Sequence, residues 1–282
     1  MSSLVYSDAY ARQVRRVLPD LIRSRGLIYD LVSKDLRARY RNTVVGFMWT
    51  VLQPLAFTLI LTFVFTHVFA GRAAGLSGDH PMIVHILCGL VFWQMFATSV
   101  GRATSSLLDN HDLVKKAYFP REVMPLASMG ICIVNGIIGF LLFMVVRIWL
   151  EGGFGWNALW TPVIFLIQLI LTTGIALLCA YLNVYYRDVG YIVEVALTFG
   201  FYATPIFYSI EQVSAAAGNS LALKLYMLNP MVGIISSFRQ VLLDNRAPSL
   251  DLMLYPLAIA VIVLLLGIVM FRRNAATIAD HL

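Results

Sequence analysis

The chain has 282 residues, of which 60% are apolar and only 13% charged, a balance that keeps no ordinary globular domain in solution and points to lipid as the solvent. Its net charge of +6 could suit a nucleic-acid binder, but most lysines and arginines stand beside the ends of apolar runs, where they fix membrane topology and touch anionic head groups. Cys88, Cys132 and Cys179 each fall inside an apolar run without the spacing of a zinc or redox motif, so they read as small core residues.

The first 43 residues are rich in arginine and contain no apolar run of spanning length, which predicts a cytoplasmic arm kept in the mature protein rather than a cleaved signal. Within it Leu27, Ile28, Leu31, Val32, Leu36 and Tyr40 recur at helical spacing, while Asp30, Lys34, Asp35, Arg37, Arg39 and Arg41 occupy much of the remaining surface. That pattern predicts an amphipathic helix lying along the membrane surface, or packed on a partner.

Six apolar segments follow, each near the ~20 residues a helix needs to cross a hydrocarbon core: Val44–Ala70, Met82–Leu107, Val123–Leu150, Leu159–Tyr185, Val189–Ile210 and Leu252–Phe271. Between the second and third, residues 108–122 form a charged cytoplasmic connection with the makings of a short helix. Asp109 or Asn110 can cap its start, Lys115 and Lys116 suit its carboxyl end, and Pro120 stops it. Glu194 lies about one turn inside the fifth segment, a depth at which an ionisable group demands a partner, and a pairing across helices is the expectation. His67 and His85 read as packing or interface residues.

Residues 221–243 are also apolar, but Asn229–Pro230 interrupts them and leaves two pieces too short to span. Charge decides their topology. With six spans the arm, Arg102, Lys115, Lys116, Arg121, Arg187, Arg272 and Arg273 share one side, leaving Arg72, Arg147, Lys224, Arg239 and Arg246 opposite. A seventh span would reverse Arg272 and Arg273, so the broken segment is expected to dip in from the outer face and return, leaving residues 272–282 as a cytoplasmic tail. The fold class is therefore an all-α membrane domain over 44–271, with a surface helix before it and a re-entrant helix pair before the last span.

The chemistry is thin. No G-x-x-x-x-G-K-[ST] loop, H-E-x-x-H pair or G-x-S-x-G elbow occurs, so no catalytic residue, metal or cofactor is expected in this chain, and any ATP and magnesium must be held elsewhere. Only one broken segment is present where an inverted-repeat secondary transporter should show two.

Three stretches carry a resemblance. Lys34-Asp-Leu-Arg-Ala-Arg-Tyr-Arg-Asn-Thr-Val-Val-Gly-Phe-Met-Trp-Thr-Val-Leu-Gln-Pro54 resembles the approach to the first span in type-2 ABC exporter permeases, especially those exporting O-antigen, teichoic acid and capsular polysaccharides. Leu113-Val-Lys-Lys-Ala-Tyr-Phe-Pro-Arg-Glu-Val-Met-Pro125 is similar to that family's coupling region, and Tyr185-Tyr-Arg-Asp-Val-Gly-Tyr191 is a third match. The resemblance implies a homodimeric permease of the bacterial inner membrane, both termini cytoplasmic, working with two ATPase subunits that bind ATP and magnesium. It implies ATPase contacts at Lys34, Asp35, Arg37, Asp109, Asn110, Asp112, Lys115, Lys116, Tyr118 and Arg121, and an outer gate in the re-entrant pair at Tyr226, Asn229, Pro230 and Phe238.

A glycan cargo needs aromatic surfaces that cover sugar faces weakly, for which Phe57, Phe92, Trp93, Phe96, Tyr181, Tyr185, Phe199 and Tyr202 are candidates. A lipid diphosphate would meet Arg37, Arg39 and Arg41 at the mouth of the first span. A type-2 permease for a drug, haem or a lipid, a membrane-embedded transferase acting on lipid-linked sugar, and a secondary transporter are the alternatives left open.

Overall fold

The computed structural model describes residues 17–40, 48–68, 80–116, 119–218 and 221–273, and among these the regular structure is entirely helical. Helices α1 (Val17–Arg23) and α2 (Arg25–Tyr40) form the arm. The long helices are α3 (Trp49–Phe63, continued by a wide turn over Val64–Val68), α4 (Met82–Asp109), α6 (Val123–Glu151), α7 (Thr161–Tyr185) and α12 (Leu250–Arg273). Short α5 (His111–Lys116) joins α4 to α6, and α8 (Val189–Tyr202), α9 (Ile210–Ala217), α10 (Leu221–Met227) and α11 (Pro230–Leu242) lie between α7 and α12.

Five of these helices, among the described residues, are long and apolar enough to cross a membrane, and α8 is a shorter apolar helix. The chain is a multi-pass membrane protein. Its centre is α4, which packs against α3, α6, α7, α8 and α11. In its most apolar window 78% of the residues are buried, against 11% for α3, so α3 rides on the periphery.

Backbone hydrogen bonds cannot be left open in lipid, so contact between helices depends on small residues and on side chains that reach a neighbouring backbone. Gly174 of α7 and Gly267 of α12 bring those helices together: a Cβ on Gly174 would stand 2.5 Å from the Leu264 nitrogen, and one on Gly267 2.6 Å from the Gly174 oxygen. Gln168, fully buried on α7, donates from Nε2 to the Phe92 carbonyl at 2.8 Å and fixes α7 against α4. Leu31 of α2 packs on the cluster of Leu107, Val114, Met124 and Phe271, while Val32 sits over Gly130. The apolar stripe of the arm is thus docked against the start of α6, with Lys34 and Arg37 exposed.

The fifth segment differs from expectation. It was expected to run to Ile210, but α8 ends at Tyr202 after 14 residues, about 21 Å of rise. Pro205 is the cause, because proline cannot donate to the preceding turn and drives the residue before it out of helical geometry. Residues 203–209 then run as irregular chain inside the bundle, with Thr204, Pro205 and Ile206 buried. Their carbonyls are met by side chains: Arg239 donates to the Ile206 and Tyr208 oxygens at 2.6 and 2.9 Å, and Asn229 Nδ2 to that of Ala203 at 3.2 Å.

The break predicted at Asn229–Pro230 is found there. The Asn229 side chain accepts from the Met231 nitrogen at 3.0 Å as a helix cap, and Pro230 opens α11, where its missing N–H costs nothing. Every residue from Met231 to Arg239 is buried, so α11 is enclosed by protein. Arg41 and Tyr118 lie outside the described residues, as do the ends of the arm and tail.

Candidate functional site

A polar stripe runs down one face of α4. Gln94, Thr98, Gly101 and Ser105 recur every three or four residues and so lie above one another. Facing them on α8, Gly190, Val193, Glu194, Leu197, Thr198 and Phe201 follow the same spacing, and the two rows wall a groove of 620 Å3 that Phe57 of α3 and Tyr202 close along its rim.

The hydroxyls of the stripe are satisfied on their own helices. Thr98 Oγ1 donates to the Gln94 carbonyl at 2.7 Å, Thr198 Oγ1 to that of Glu194 at 2.9 Å, and Ser105 Oγ to Asp109 Oδ2 at 2.8 Å. Their remaining lone pairs face outward. The Gln94 amide and the Glu194 carboxylate form no hydrogen bond or ion pair among the described residues, so the cross-helix pairing expected of Glu194 is not what places it. Both instead line the groove.

The aromatic candidates divide. Phe57, 41% exposed, lines the groove and meets Phe201 edge-on at 6.1 Å. Trp93 forms its floor, 6.3 Å from Phe201, and Tyr202 stands on its rim. Phe92 is turned into the core and stacked on Phe238 with ring centroids 3.5 Å apart. Phe96 points into a separate cavity of 300 Å3 between α4, α7 and α8. Tyr181 and Tyr185 pair at 5.0 Å beside the cluster of Leu107 and Phe271, away from the groove, and Phe199 faces outward from α8.

Four aromatics that sequence reasoning passed over, Phe201, Phe207, Phe65 and Tyr208, complete the row. Phe201 contacts Phe207 at 5.9 Å, and Phe207 meets Phe65 at 5.4 Å and Tyr208 at 5.3 Å, with Tyr226 6.5 Å beyond. The row leads from the groove to the end of the bundle where α9 and α10 lie. For Phe201 the signal was position, since it falls at the helical spacing set by Glu194 and Thr198.

At that end Tyr226 and Asn229 flank the irregular 203–209 chain, Asn229 Nδ2 reaching Thr204 Oγ1 at 3.0 Å. Pro230 and fully buried Phe238 belong to α11. Arg239 also donates to the His85 oxygen at 3.3 Å and so binds α11 to α4 as well as to 203–209. Farther out His80 stands between two carboxylates, with Nδ1 2.7 Å from Glu151 and Nε2 3.2 Å from Asp244, and Arg147 Nε lies 2.9 Å from the same Glu151. Arg147 and Arg239, which sequence reasoning counted as topology charges, are therefore buried in polar contacts.

The opposite end carries the arm, α5 and the end of α12. Lys34 and Arg37 on α2, Asp109 at the end of α4, and Asp112 and Lys115 on α5 are exposed; Asp35, Asn110 and Arg121 are half-buried. Asn110 turns its amide back to the Ser106 carbonyl at 2.9 Å, while its own carbonyl starts α5 by accepting from Leu113 and Val114. Arg39 lies in the last turn of α2, and Lys116 ends α5.

Sequence reasoning missed the contact that binds this end together. Arg272 of α12 donates from Nε to Glu122 Oε1 at 2.7 Å and from Nη2 to Asp20 Oδ2 at 3.1 Å, joining the arm, the connection before α6 and the last helix through one guanidinium. Close by, Asn183 donates to the Thr104 carbonyl at 3.0 Å and accepts from the Gly190 nitrogen at 2.9 Å, which holds the turn after Tyr185 against α4. Among the described residues no group of three or more histidines, cysteines or acids could hold a metal ion.

Comparison with known proteins finds relatives over most of the chain. The ABC-2 type transporter family profile matches residues 27–243. The chain is 31% identical over 271 residues to an O-antigen export system permease protein, RfbA, of Myxococcus xanthus, an alignment covering 95% of this chain and 99% of that one. A protein of the same description from Klebsiella pneumoniae is 29% identical over 233 residues, covering 78% and 83% of the two chains. The polysialic acid transport protein KpsM of Escherichia coli is 19% identical over 252 residues, covering 86% and 92%.

Proposed function

The chain belongs to the ABC-2 type transporter family, and from that premise we propose that it is the membrane-spanning subunit of an ATP-driven exporter of a lipid-linked cell-surface polysaccharide. Two copies would face each other across the grooves between α4 and α8, and two separate ATPase subunits would bind at the end that carries α2 and α5. That end would be cytoplasmic in a bacterial inner membrane, and the irregular 203–209 chain with α9, α10 and α11 would form the outer gate.

The observation that carries this reading is the groove itself. Gln94, Thr98, Ser105, Glu194 and Thr198 are costly in lipid but match a cargo covered in hydroxyl groups, and the row Phe57, Trp93, Phe201, Tyr202 and Phe207 offers sugar faces a series of weak platforms. A drug or lipid pathway needs no such stripe. The homodimer is supported by the outward faces of α3 and α8, where Leu52, Ile60, Tyr191, Ile192, Val195 and Phe199 are exposed beside the groove.

ATPase contacts are proposed at Lys34, Asp35, Arg37, Asp109, Asn110, Asp112, Lys115, Lys116 and Arg121, because most of their described side chains reach the surface at this end. The Arg272, Glu122 and Asp20 cluster would carry movement there into α12 and α6.

The test is to replace Gln94 and Thr98 with leucine and valine, and separately Phe57 with alanine, in cells that depend on the exporter for surface polysaccharide. Export falls severalfold in each variant while the complex with the ATPase still purifies. Undiminished export from both variants contradicts the groove as the pathway.

A further inference from the structure

Four ionisable side chains meet at the end of the bundle opposite the arm, and none of them lines the groove. His80 stands just before α4, Arg147 and Glu151 lie in the last turns of α6, and Asp244 follows the end of α11. The imidazole is engaged at both nitrogens: Nδ1 is 2.7 Å from Glu151 Oε1, and Nε2 is 3.2 Å from Asp244 Oδ1. Arg147 Nε lies 2.9 Å from the second Glu151 oxygen. The Glu151 side chain is 14% exposed, against 42% for Asp244.

Hydrogen-bond chemistry fixes the protonation state that this arrangement needs. A neutral imidazole has one N–H and one lone pair, so it can donate to one carboxylate and must turn its lone pair toward the other. Two carboxylates at these distances from the two nitrogens therefore call for the imidazolium. Charge balance agrees. With His80 protonated, two cations face two anions; without its second proton the group keeps one uncompensated negative charge in a partly buried place. The other ionisable groups on the elements packed here are His85 of α4, Arg239 of α11 and Arg246 beyond it. The His85 ring is buried, Arg239 is engaged by carbonyls including that of His85, and Arg246 is exposed.

The segment held in this way joins α11 to α12. Its other contacts are neutral: Asn157 donates from Nδ2 to the Asn245 carbonyl at 2.7 Å, and the Ser249 nitrogen donates to Gln240 Oε1 at 3.0 Å. Of these contacts only the one between His80 and Asp244 needs a proton that is exchanged near neutral pH. When that proton leaves, the shorter and more buried bond to Glu151 keeps the remaining N–H, and Asp244 is released. Helix α11 in turn cannot shift without residues 203–209, because Arg239 donates to the carbonyls of Ile206 and Tyr208.

Resting on the proposed function, we infer that His80, Glu151 and Asp244 form a proton-sensitive clasp that ties the end of α11 to α4 and α6 and holds the outer gate shut when that face is acidic. A rise in pH there frees Asp244, and the chain after α11 can then part from α6 when the ATPase acts. Acid at the outer face slows export, and its removal restores it.

The experiment uses the full chain assembled with its ATPase in nanodiscs, at about pH 5.5 and about pH 8, either side of the region near 6.5 where imidazoles in general titrate. Hydrogen exchange is followed at the Asp244 and Arg246 amides, which donate to the Arg239 and Gln240 carbonyls. Comparing variants at one pH cancels the intrinsic dependence of exchange on pH. His80→Gln and, separately, Asp244→Ala speed this exchange severalfold at the acidic pH and change it little at the alkaline one. His67→Gln, at an exposed histidine beyond α3, leaves it unchanged. In liposomes with the pH varied only at the outer face, wild-type export rises severalfold from the acidic to the alkaline condition, while His80→Gln exports at the higher rate in both.

Exchange as slow in both clasp variants as in the wild type at the acidic pH overturns the clasp. Wild-type export that ignores pH at the outer face, with exchange responding as described, overturns its control of the gate. Absent wild-type export at either pH defeats the proposed function instead, and the exchange comparison still decides the clasp.

Discussion

At the scale of single residues, Arg239 shows how position overrides composition. An arginine near the end of an apolar segment reads as a topology marker, yet this one is 7% exposed and donates to the carbonyls of His85, Ile206 and Tyr208. Those oxygens need a donor because the chain around Pro205 has left helical geometry. Arg239→Met keeps much of the volume and removes the donors, and should destabilise the protein by about 3 kcal/mol or more, since breaking a buried charged contact leaves its partners unsatisfied. Thermal unfolding in detergent reads this directly, and an unchanged midpoint would contradict the bridging role. Residue type alone did not tell where each aromatic stands. Trp93 borders the groove while Phe92, one position before it, is stacked inside the core, because neighbouring positions on a helix point about 100° apart. An alanine at Trp93 would remove core packing together with any sugar contact, so Phe57 is the cleaner probe.

At the scale of elements, much was readable. Five of the six expected spans, a helix in the arm, the short helix after α4 and the break at Asn229–Pro230 all follow from apolar length, helical period and proline chemistry. The end of α8 was not readable, because residues 203–209 stay mostly apolar and Pro205 alone cannot say whether a span kinks or stops. The polar stripe of α4 was equally hidden: one glutamine, threonine or serine per turn is also how membrane helices bind one another, as Gln168 does. Only packing tells the two apart. Helix α5 belongs to this scale too. Under the proposed function, replacing Lys115, Lys116 and Arg121 with alanine should uncouple ATP hydrolysis from export, because α5 continues α4 beyond Asn110 and would offer its charges to the ATPase. Hydrolysis would persist in the purified complex while export falls at least severalfold, and export at the wild-type rate would remove α5 from the coupling path.

At the scale of the whole molecule, two ends and a groove between them follow from one arrangement. Arg272 ties the arm, the connection before α6 and the last helix together at one end, the enclosed α11 and the irregular chain beside it shape the other, and the striped groove with its aromatic row lies between them. Nothing in the family's membrane subunit hydrolyses ATP on this reading, so the cargo must move only when a second protein acts on α2 and α5. Reconstitution in liposomes tests that claim most directly, using this chain with and without its ATPase and a labelled lipid-linked glycan supplied on the ATPase side. ATP-dependent appearance of the glycan on the far side only when both proteins are present is the predicted result; transport by this chain alone, or driven by an ion gradient without ATP, would contradict it.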